Sequence, residues 1–296
     1  MDVEDLRKFM VVAQLNNLQL AAKTLHQTPG ALSKVVKRLE VRLGTQLFDR
    51  TGRNIVLNRH GEKFRHYASQ IVHEADQALS EFVGSSAALR VNIAGPSVLI
   101  SHWLPKIIDK LGDNKSEINI SVKWESEAIN LLANGSAHLA LVTDMALDGI
   151  SQTGDYDSIA LGTTLFKVVA GDNHPLFKEY SEGRLTNAQL FEFPFACPSV
   201  SPFCGITRGI GSDGWRDDKV PRQIGYRCND FSVLMSLVRQ GRALAYVPDF
   251  IAAQFGLRII DVDDCDYHCQ ENIQLVYKPS LASGWLNQLT SAMNTP

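Results

Sequence analysis

Between Arg59 and Val83 the residues Phe64, Ala68, Ile71, Ala75, Ala78 and Phe82 follow one another at spacings of 4, 3, 4, 3 and 4. A heptad stripe held for nearly three repeats is a pattern that one helix face presents and a strand does not. So narrow a stripe, built partly of alanine, suits the close approach of another helix better than a broad core, and it predicts a dimerisation helix. It also divides the chain. Residues 1–58 form one unit ahead of it, residues 59–88 hold the helix and a short hinge at Gly84-Ser85-Ser86-Ala87-Ala88, and residues 89–296 lie beyond. A chain of 296 residues is expected to fold as two or three such units.

The first unit reads as three short helices. Leu6, Phe9, Met10 and Ala13 share one face of a helix that opens at the acidic stretch Asp2 to Asp5 and stops at Asn16-Asn17. Leu18 to Leu25 forms a second helix, in which Ala21 and Ala22 let a neighbour approach closely, and His26-Gln27-Thr28 is the turn after it. The third helix has Thr28 as N-cap and Pro29 in its first position, where a missing N–H costs nothing; Leu32, Val35, Val36, Leu39 and Leu43 point inward and Gly44 ends it. Ser33, Lys34, Lys37 and Arg38 fall on the outward face. Two helices joined by a tight turn, the second cationic on its free side, are the ingredients of a helix-turn-helix whose second helix enters a major groove. Phe48 to Leu57, with Gly52 between two extended pieces and Arg50 and Arg53 beside it, reads as a β-wing able to touch phosphates or the minor groove. Charge separates the units in the same way. Residues 1–66 hold 12 Lys and Arg against 6 Asp and Glu, and the remainder holds 17 against 26, so a head of +6 sits on a body of −9 and only the head suits a polyanion.

Beyond the hinge, strand and helix patterns alternate. Arg90 to Ala94, Ile118 to Trp124 and Leu139 to Val142 are strands, separated by helices over Val98 to Leu111 and Glu127 to Asn134. A second series starts near Thr164, with strands over Leu165 to Ala170, Phe195-Ala196, Gln223 to Cys228 and Leu244 to Val247, and a helix over Phe231 to Gln240. The strand Ile273 to Tyr277 and the helix Trp285 to Met293 close the chain. The pattern implies two α/β halves with a cleft between them, and ligands of such sheets bind beyond the strand C-termini.

Other classes are poorly served by this sequence. No apolar run approaches the roughly 20 residues of a membrane-spanning helix, and Met1-Asp2-Val3-Glu4-Asp5 is acidic where a secretion signal is basic, so a cytoplasmic protein is expected. Cys197, Cys204, Cys228, Cys265 and Cys269 are odd in number and scattered, unlike a disulfide framework. The Gly-x-Ser-x-Gly elbow, His-Glu-x-x-His and the phosphate loop are all missing, and the glycines of Gly205 to Gly211 lack the spacing of a nucleotide cradle. Cys265-Asp266-Tyr267-His268-Cys269 lacks a second ligand pair for a metal. No catalytic residue, metal or cofactor is expected.

The stretch Phe9 to Phe64 closely resembles the N-terminus of LysR-type transcriptional regulators. The resemblance is carried by Ala21-Ala22-Lys23-Thr24-Leu25-His26, Ala31-Leu32-Ser33-Lys34, Lys37-Arg38-Leu39-Glu40, Leu43-Gly44, Leu47-Phe48-Asp49-Arg50 and Asn58-Arg59-His60-Gly61-Glu62. Leu104-Pro105, Leu131 to Val142 and Val238-Arg239-Gln240-Gly241 through Tyr246-Val247-Pro248 are similar to landmarks of the same family's effector half. The resemblance implies an all-α winged helix-turn-helix, a dimerising linker helix, and an α/β regulatory domain resembling type-2 periplasmic binding proteins. Lobe 1 of that domain would comprise residues 89–163 and 267–296, and lobe 2 residues 164–266. It places Thr28, Pro29, Ser33, Lys34 and Lys37 on the DNA-reading face and Arg50 and Arg53 on the wing. Pro29-Gly30 departs from the residues usual at the start of that helix, and His138 stands where an Asp is common.

The function so implied is sequence-specific binding to a double-stranded DNA operator by a homodimer or homotetramer, modulated by a small-molecule effector, with RNA polymerase as a further partner of an activator. Ser97, Ser126 and Asn229 fall at helix starts, where unsatisfied N–H groups favour an anion, so a carboxylate or aromatic acid is the effector expected. Trp124 precedes the second of these starts, Thr143 would face the cleft by family geometry, and Phe203 would give an apolar wall. A thiol-based redox regulator using Cys197 and Cys204, with Arg208 as the nearest cation in sequence, is one alternative. An α/β enzyme or binding protein with a vestigial head is the alternative from another class.

Overall fold

Each head helix begins at a side chain able to hold its free N–H groups. In α1 (Val3–Leu15) the Asp2 carboxylate accepts the Glu4 N–H at 3.3 Å, and in α2 (Leu18–Thr24) Asn17 accepts that of Leu20 at 3.0 Å. In α3 (Pro29–Leu43) the Thr28 hydroxyl accepts the Ala31 N–H at 3.2 Å, and Gly44 ends the helix in the left-handed region at φ 67°. These observations come from a computed structural model that describes residues 1–51, 54–83, 89–111, 116–148, 156–180, 185–263, 268–279 and 284–294. Leu6, Phe9, Val12, Ala13, Ala21, Ala22, Leu32, Val35, Val36 and Leu39 close the head core. Leu43, expected to point inward, is 40% exposed in the last turn of α3. The wing is an antiparallel pair, β1 (Phe48–Thr51) and β2 (Asn54–Leu57), with Phe48 opposite Leu57. Arg53 lies outside the described residues, as do the side chains of Arg50 and Phe82 and the segment 84–88.

The linker helix α4 (Arg59–Val83) is seated by Asn58, whose Oδ1 accepts the N–H groups of His60 and Gly61, both at 2.9 Å. A Cβ at Gly61 would come within 2.0 Å of the Leu47 carbonyl oxygen, so only glycine lets the helix start this close to the wing. The expected stripe then divides. Phe64 and Ala68 belong to the head core, with the Phe64 ring 4.9 Å from that of Phe9. Their burial corrects the reading of all six positions as one seam between helices, because the first turns of α4 are used to close the head itself. Ile71, Ala78, Tyr67 and Leu79 are exposed, and Ala75 is half-buried.

The body is built on β3 (Leu89–Gly95), α5 (Ser97–Leu111), β4 (Ser116–Val122), α6 (Glu125–Ala133), β5 (Leu139–Thr143) and α7 (Asp144–Asp148). The long strand β6 (Asp157–Ala170) follows, then α8 (Leu176–Glu179), α9 (Asn187–Leu190), β7 (Phe195–Pro198) and β8 (Ile224–Cys228). The chain ends through α10 (Phe231–Arg239), β9 (Ala245–Pro248), α11 (Asp249–Phe255), β10 (Arg258–Ile260), β11 (Gln270–Tyr277) and α12 (Gly284–Asn294). Strands run in the order β10-β6-β11-β5-β3-β4, with β9 also on β6, and β7 and β8 form a separate parallel pair. Strand β6 does not begin near Thr164 as the sequence suggests but is continuous over 14 residues. Its first part pairs with β11, from Asp157 opposite Tyr277 to Leu165 opposite Gln270, and its last part with β9 and β10. One strand therefore belongs to both lobes. Helix α6 also starts earlier than expected, at Glu125, which leaves Ser126 inside its first turn. Among the described residues no helix is long and apolar enough to cross a membrane.

Candidate DNA interface and effector cleft

The inward face of α3 is locked by apolar contacts and by Arg38, which reaches back to α1. Its Nε and Nη2 donate to Asp5 at 3.0 and 2.5 Å, and Asp5 is 6% exposed. Arg38 is thus a structural tie between α3 and α1 rather than a free cation. Lys34 and Lys37 are exposed, as are Thr28 and Pro29, and Ser33 is half-buried. Ser33 and Lys37 open onto a groove of about 480 Å³ whose walls include Leu18, Gln46 and Asp49. Among the described residues nothing lies within 4 Å of where a Gly30 side chain would be, which leaves the N-terminal turn of α3 open there. A cationic helix with an unobstructed start, beside a two-stranded wing, has the shape and charge to enter a major groove.

In the body, β3 and β5 are parallel neighbours that end at Gly95 and Thr143, and a cleft at strand C-termini is where a ligand of such a sheet is held. Ser97 is exposed in the first turn of α5 just beyond β3. Thr143 is buried, and both its backbone N–H and its hydroxyl donate to Glu125 Oε1 at 2.7 Å. From the other lobe Phe203 offers its carbonyl to the Glu125 N–H at 3.2 Å, while its ring packs edge-on to Phe166. A Cβ at Gly205 would fall 2.4 Å from the Trp124 ring, so that ring lies directly on the lobe 2 loop. The structure therefore gathers Trp124, Thr143 and Phe203 around Glu125. Ser126 is exposed on α6, and α10 is capped by Asp230, which accepts the Val233 N–H at 3.0 Å; Asn229 precedes that cap.

The electrostatics of this place come from Glu125, Glu271 and Asp144, which the linear sequence did not single out, and from Arg208, which it offered only as a neighbour of the cysteines. Burial pushes the Glu125 carboxyl above the ordinary range, against the Thr143 bonds and the pull of Arg208. Burial also raises Glu271, reinforced by Glu125 and Asp144 and opposed by Arg208. Asp144 accepts the side-chain N–H groups of Asn272 at 2.8 Å and Gln274 at 2.7 Å. Arg208 comes from lobe 2 and touches Met145 Sδ at 3.5 Å. Among the described residues this place brings the carboxyl groups of Glu125, Glu271 and Asp144 within electrostatic reach of the Arg208 guanidinium.

Cys197 meets the opposite of an activating environment. Cys197 is fully buried in β7; burial and the neighbouring Asp213 push its thiol well up, outweighing Arg222. Arg222 is itself committed, donating to Asp213 at 2.7 Å and Asp217 at 2.9 Å between the Phe195 and Trp215 rings. Arg208, the cation suggested by sequence proximity, faces lobe 1 instead. Cys197 and Cys204 are free thiols, and Cys265 lies outside the described residues. Among the described residues no cluster of three His, Cys, Asp or Glu side chains could hold a metal.

A helix-turn-helix head, a single linker helix and a two-lobed α/β domain define a ligand-responsive DNA-binding regulator. Residues 3–62 match the family model described as a bacterial regulatory helix-turn-helix protein of the lysR family, and residues 84–286 match the LysR substrate binding domain. The chain belongs to the LysR family of transcriptional regulators. It is 26% identical over 243 residues to the HTH-type transcriptional regulator PecT of Dickeya dadantii, a match covering 81% of this chain and 70% of that protein. Its match to the regulator IlvY of Escherichia coli is 30% identical and spans about half of each chain, 48% and 49%. Among solved structures, ArgP of Mycobacterium tuberculosis superposes with a TM-score of 0.62 at 20% identity, covering 100% of this chain and 98% of that one. Full-length OxyR of Pseudomonas aeruginosa gives 0.63 at 17% identity, covering 100% and 95%. Both likenesses speak for the fold.

Proposed function

We propose that this protein is a cytoplasmic regulator that reads an operator with α3, through Thr28, Pro29, Ser33, Lys34 and Lys37, while the wing carrying Arg50 and Arg53 touches the backbone. Residues 1–58 act as the DNA-binding unit, 59–88 as linker and hinge, and 89–296 as the effector domain, with lobe 2 over residues 164–266. The exposed face of α4 around Ile71 and Ala78 holds two or four copies together, so that paired half-sites are engaged. A small molecule in the cleft between Ser97, Trp124, Thr143 and Phe203 changes the lobe arrangement and hence the spacing and bend of bound DNA, which in an activator governs contact with RNA polymerase. The observation that carries this reading is the free, cationic outer face of α3.

An acid remains the proposed effector, with Arg208 as its partner among the surrounding carboxyl groups. The role is regulatory, not enzymatic. The protein can be incubated with sheared genomic DNA and the retained fragments sequenced. A small set sharing a two-fold symmetric motif is expected; retention that follows fragment length alone would contradict the reading.

A further inference from the structure

One face of α4 docks on the body of its own chain. His66, Ser69, His73 and Asp76 recur at helical spacing along it. The Ser69 side chain leaves no room at Gly135, whose added Cβ would sit 1.9 Å from Ser69 Oγ. Lys278 donates to the Ala133 carbonyl at 2.6 Å, with His66 Nδ1 3.4 Å away. His73 is 3% exposed, and its ring centre lies 5.1 Å from that of His138 and 6.3 Å from that of Trp285 in α12. His138 Nδ1 in turn accepts the Asn92 N–H of β3 at 3.1 Å, so the ring is held with that nitrogen unprotonated.

The charged groups around this pair come from every element packed there. Arg7 of α1 is bidentate to Asp76 of α4, and Arg90 of β3 pairs with Glu117 of β4 at 3.1 Å. They border a cavity of about 530 Å³ shared by head, linker and lobe 1. Because these cations and carboxylates are already paired with one another, the cavity presents no surplus charge to select an ion. The two imidazoles set the joint apart. A proton on His138 Nδ1 would break the Asn92 bond, and protons on both rings would place two cations about 5 Å apart in a buried contact.

We propose that the docking of α4 on lobe 1 is an acid-sensitive latch, closed while His138 accepts the Asn92 N–H beside His73 and released when His138 takes up a proton. Head and body are then coupled near neutral pH and uncoupled as pH falls, independently of any effector. Burial, and after it charge on His73, hold His138 down to about 4, with Asp76 opposing, and burial and Lys278 lower His66 in the same direction. A depressed value in the docked state means that docking gains stability above the free histidine value near 6.5 and loses it as pH falls toward 4.

The test is hydrogen exchange of the full-length protein, each rate divided by the intrinsic rate at that pH, read at the Asn92 amide and at Val168 and Val169 in the lobe 2 core. Protection at Asn92 is expected to drop about tenfold between pH 7.5 and pH 5.5 while Val168 and Val169 hold. His73→Gln combined with His138→Gln should abolish that drop, and His73→Lys should lower Asn92 protection already at pH 7.5. Constant protection at Asn92, an equal fall in lobe 2, or a full pH response in the double variant would each overturn the latch. If the double variant fails to fold, the wild-type contrast between Asn92 and lobe 2 decides by itself.

Discussion

Glu125 Oε1 accepts both the backbone N–H and the hydroxyl of Thr143 at 2.7 Å, so a buried carboxyl at the start of α6 closes the end of β5. Thr143→Val removes one of these bonds and leaves the carboxyl short of a donor where water has little access. The expected loss is about 1–3 kcal/mol of stability, visible as a lower melting temperature at pH 7.5. An unchanged melting temperature would show that the hydroxyl bond contributes nothing.

The same site predicts a pH effect. Glu125 and Glu271 are both held above their unfolded values, so the folded state binds protons more readily than the unfolded one. Their contribution is most favourable below about 4.5 and is lost as pH rises through the raised values. Glu271→Gln should therefore raise the melting temperature at pH 7.5, with a gain that shrinks toward pH 4.5. A gain of equal size at both pH values would point to packing rather than charge.

On the reading helix, neighbouring cations should behave differently. Arg38→Ala strips Asp5 of its guanidinium partner and is expected to lower head stability. Lys34→Ala touches no such contact and should leave the melting temperature within about 1 °C, since surface changes usually stay within about 0.5 kcal/mol. Differential scanning calorimetry of the two variants distinguishes them; equal melting temperatures would remove the structural role given to Arg38.

Two residues of the α4 stripe separate in the same way. Phe64→Asp puts a charge into the head core beside Phe9 and should unfold the head, whereas Ile71→Asp changes an exposed position and should give monomers with an intact head. Sedimentation together with circular dichroism reads both outcomes. A folded dimer of Ile71→Asp would place the interface elsewhere.

Peroxide should leave operator binding unchanged, because Cys197 is buried and its thiol is pushed up rather than down. A footprint that changes with peroxide and recovers with dithiothreitol, but not in Cys197→Ser, would contradict this.

The head was legible in sequence because its signals are local. Thr28, Pro29 and Gly44 mark the ends of α3 within a few residues of the pattern they bound, and Asn16-Asn17 marks the end of α1 and the start of α2. In the body the start of α5 at Ser97 was legible because it follows β3 directly. Glu125, Arg208 and Glu271 come from distant parts of the chain, and no spacing relates them. The continuity of β6 was missed because its pairing with β11 spans more than a hundred residues. The division of the α4 stripe follows from what happens to cover it, which periodicity alone does not encode. His138, set apart only by departing from the usual residue, acquires its meaning through His73, some 65 residues earlier in the chain.

The most direct test of the account is a titration of labelled operator and scrambled duplex at one fixed salt concentration, with wild type and Lys34→Ala. The account predicts that wild type binds operator about a thousandfold or more tightly than scrambled DNA, and that Lys34→Ala loses a large part of that ratio while keeping weak binding to both duplexes. Equal affinity of wild type for the two duplexes, or an undiminished ratio in Lys34→Ala, would contradict α3 as the element that reads DNA.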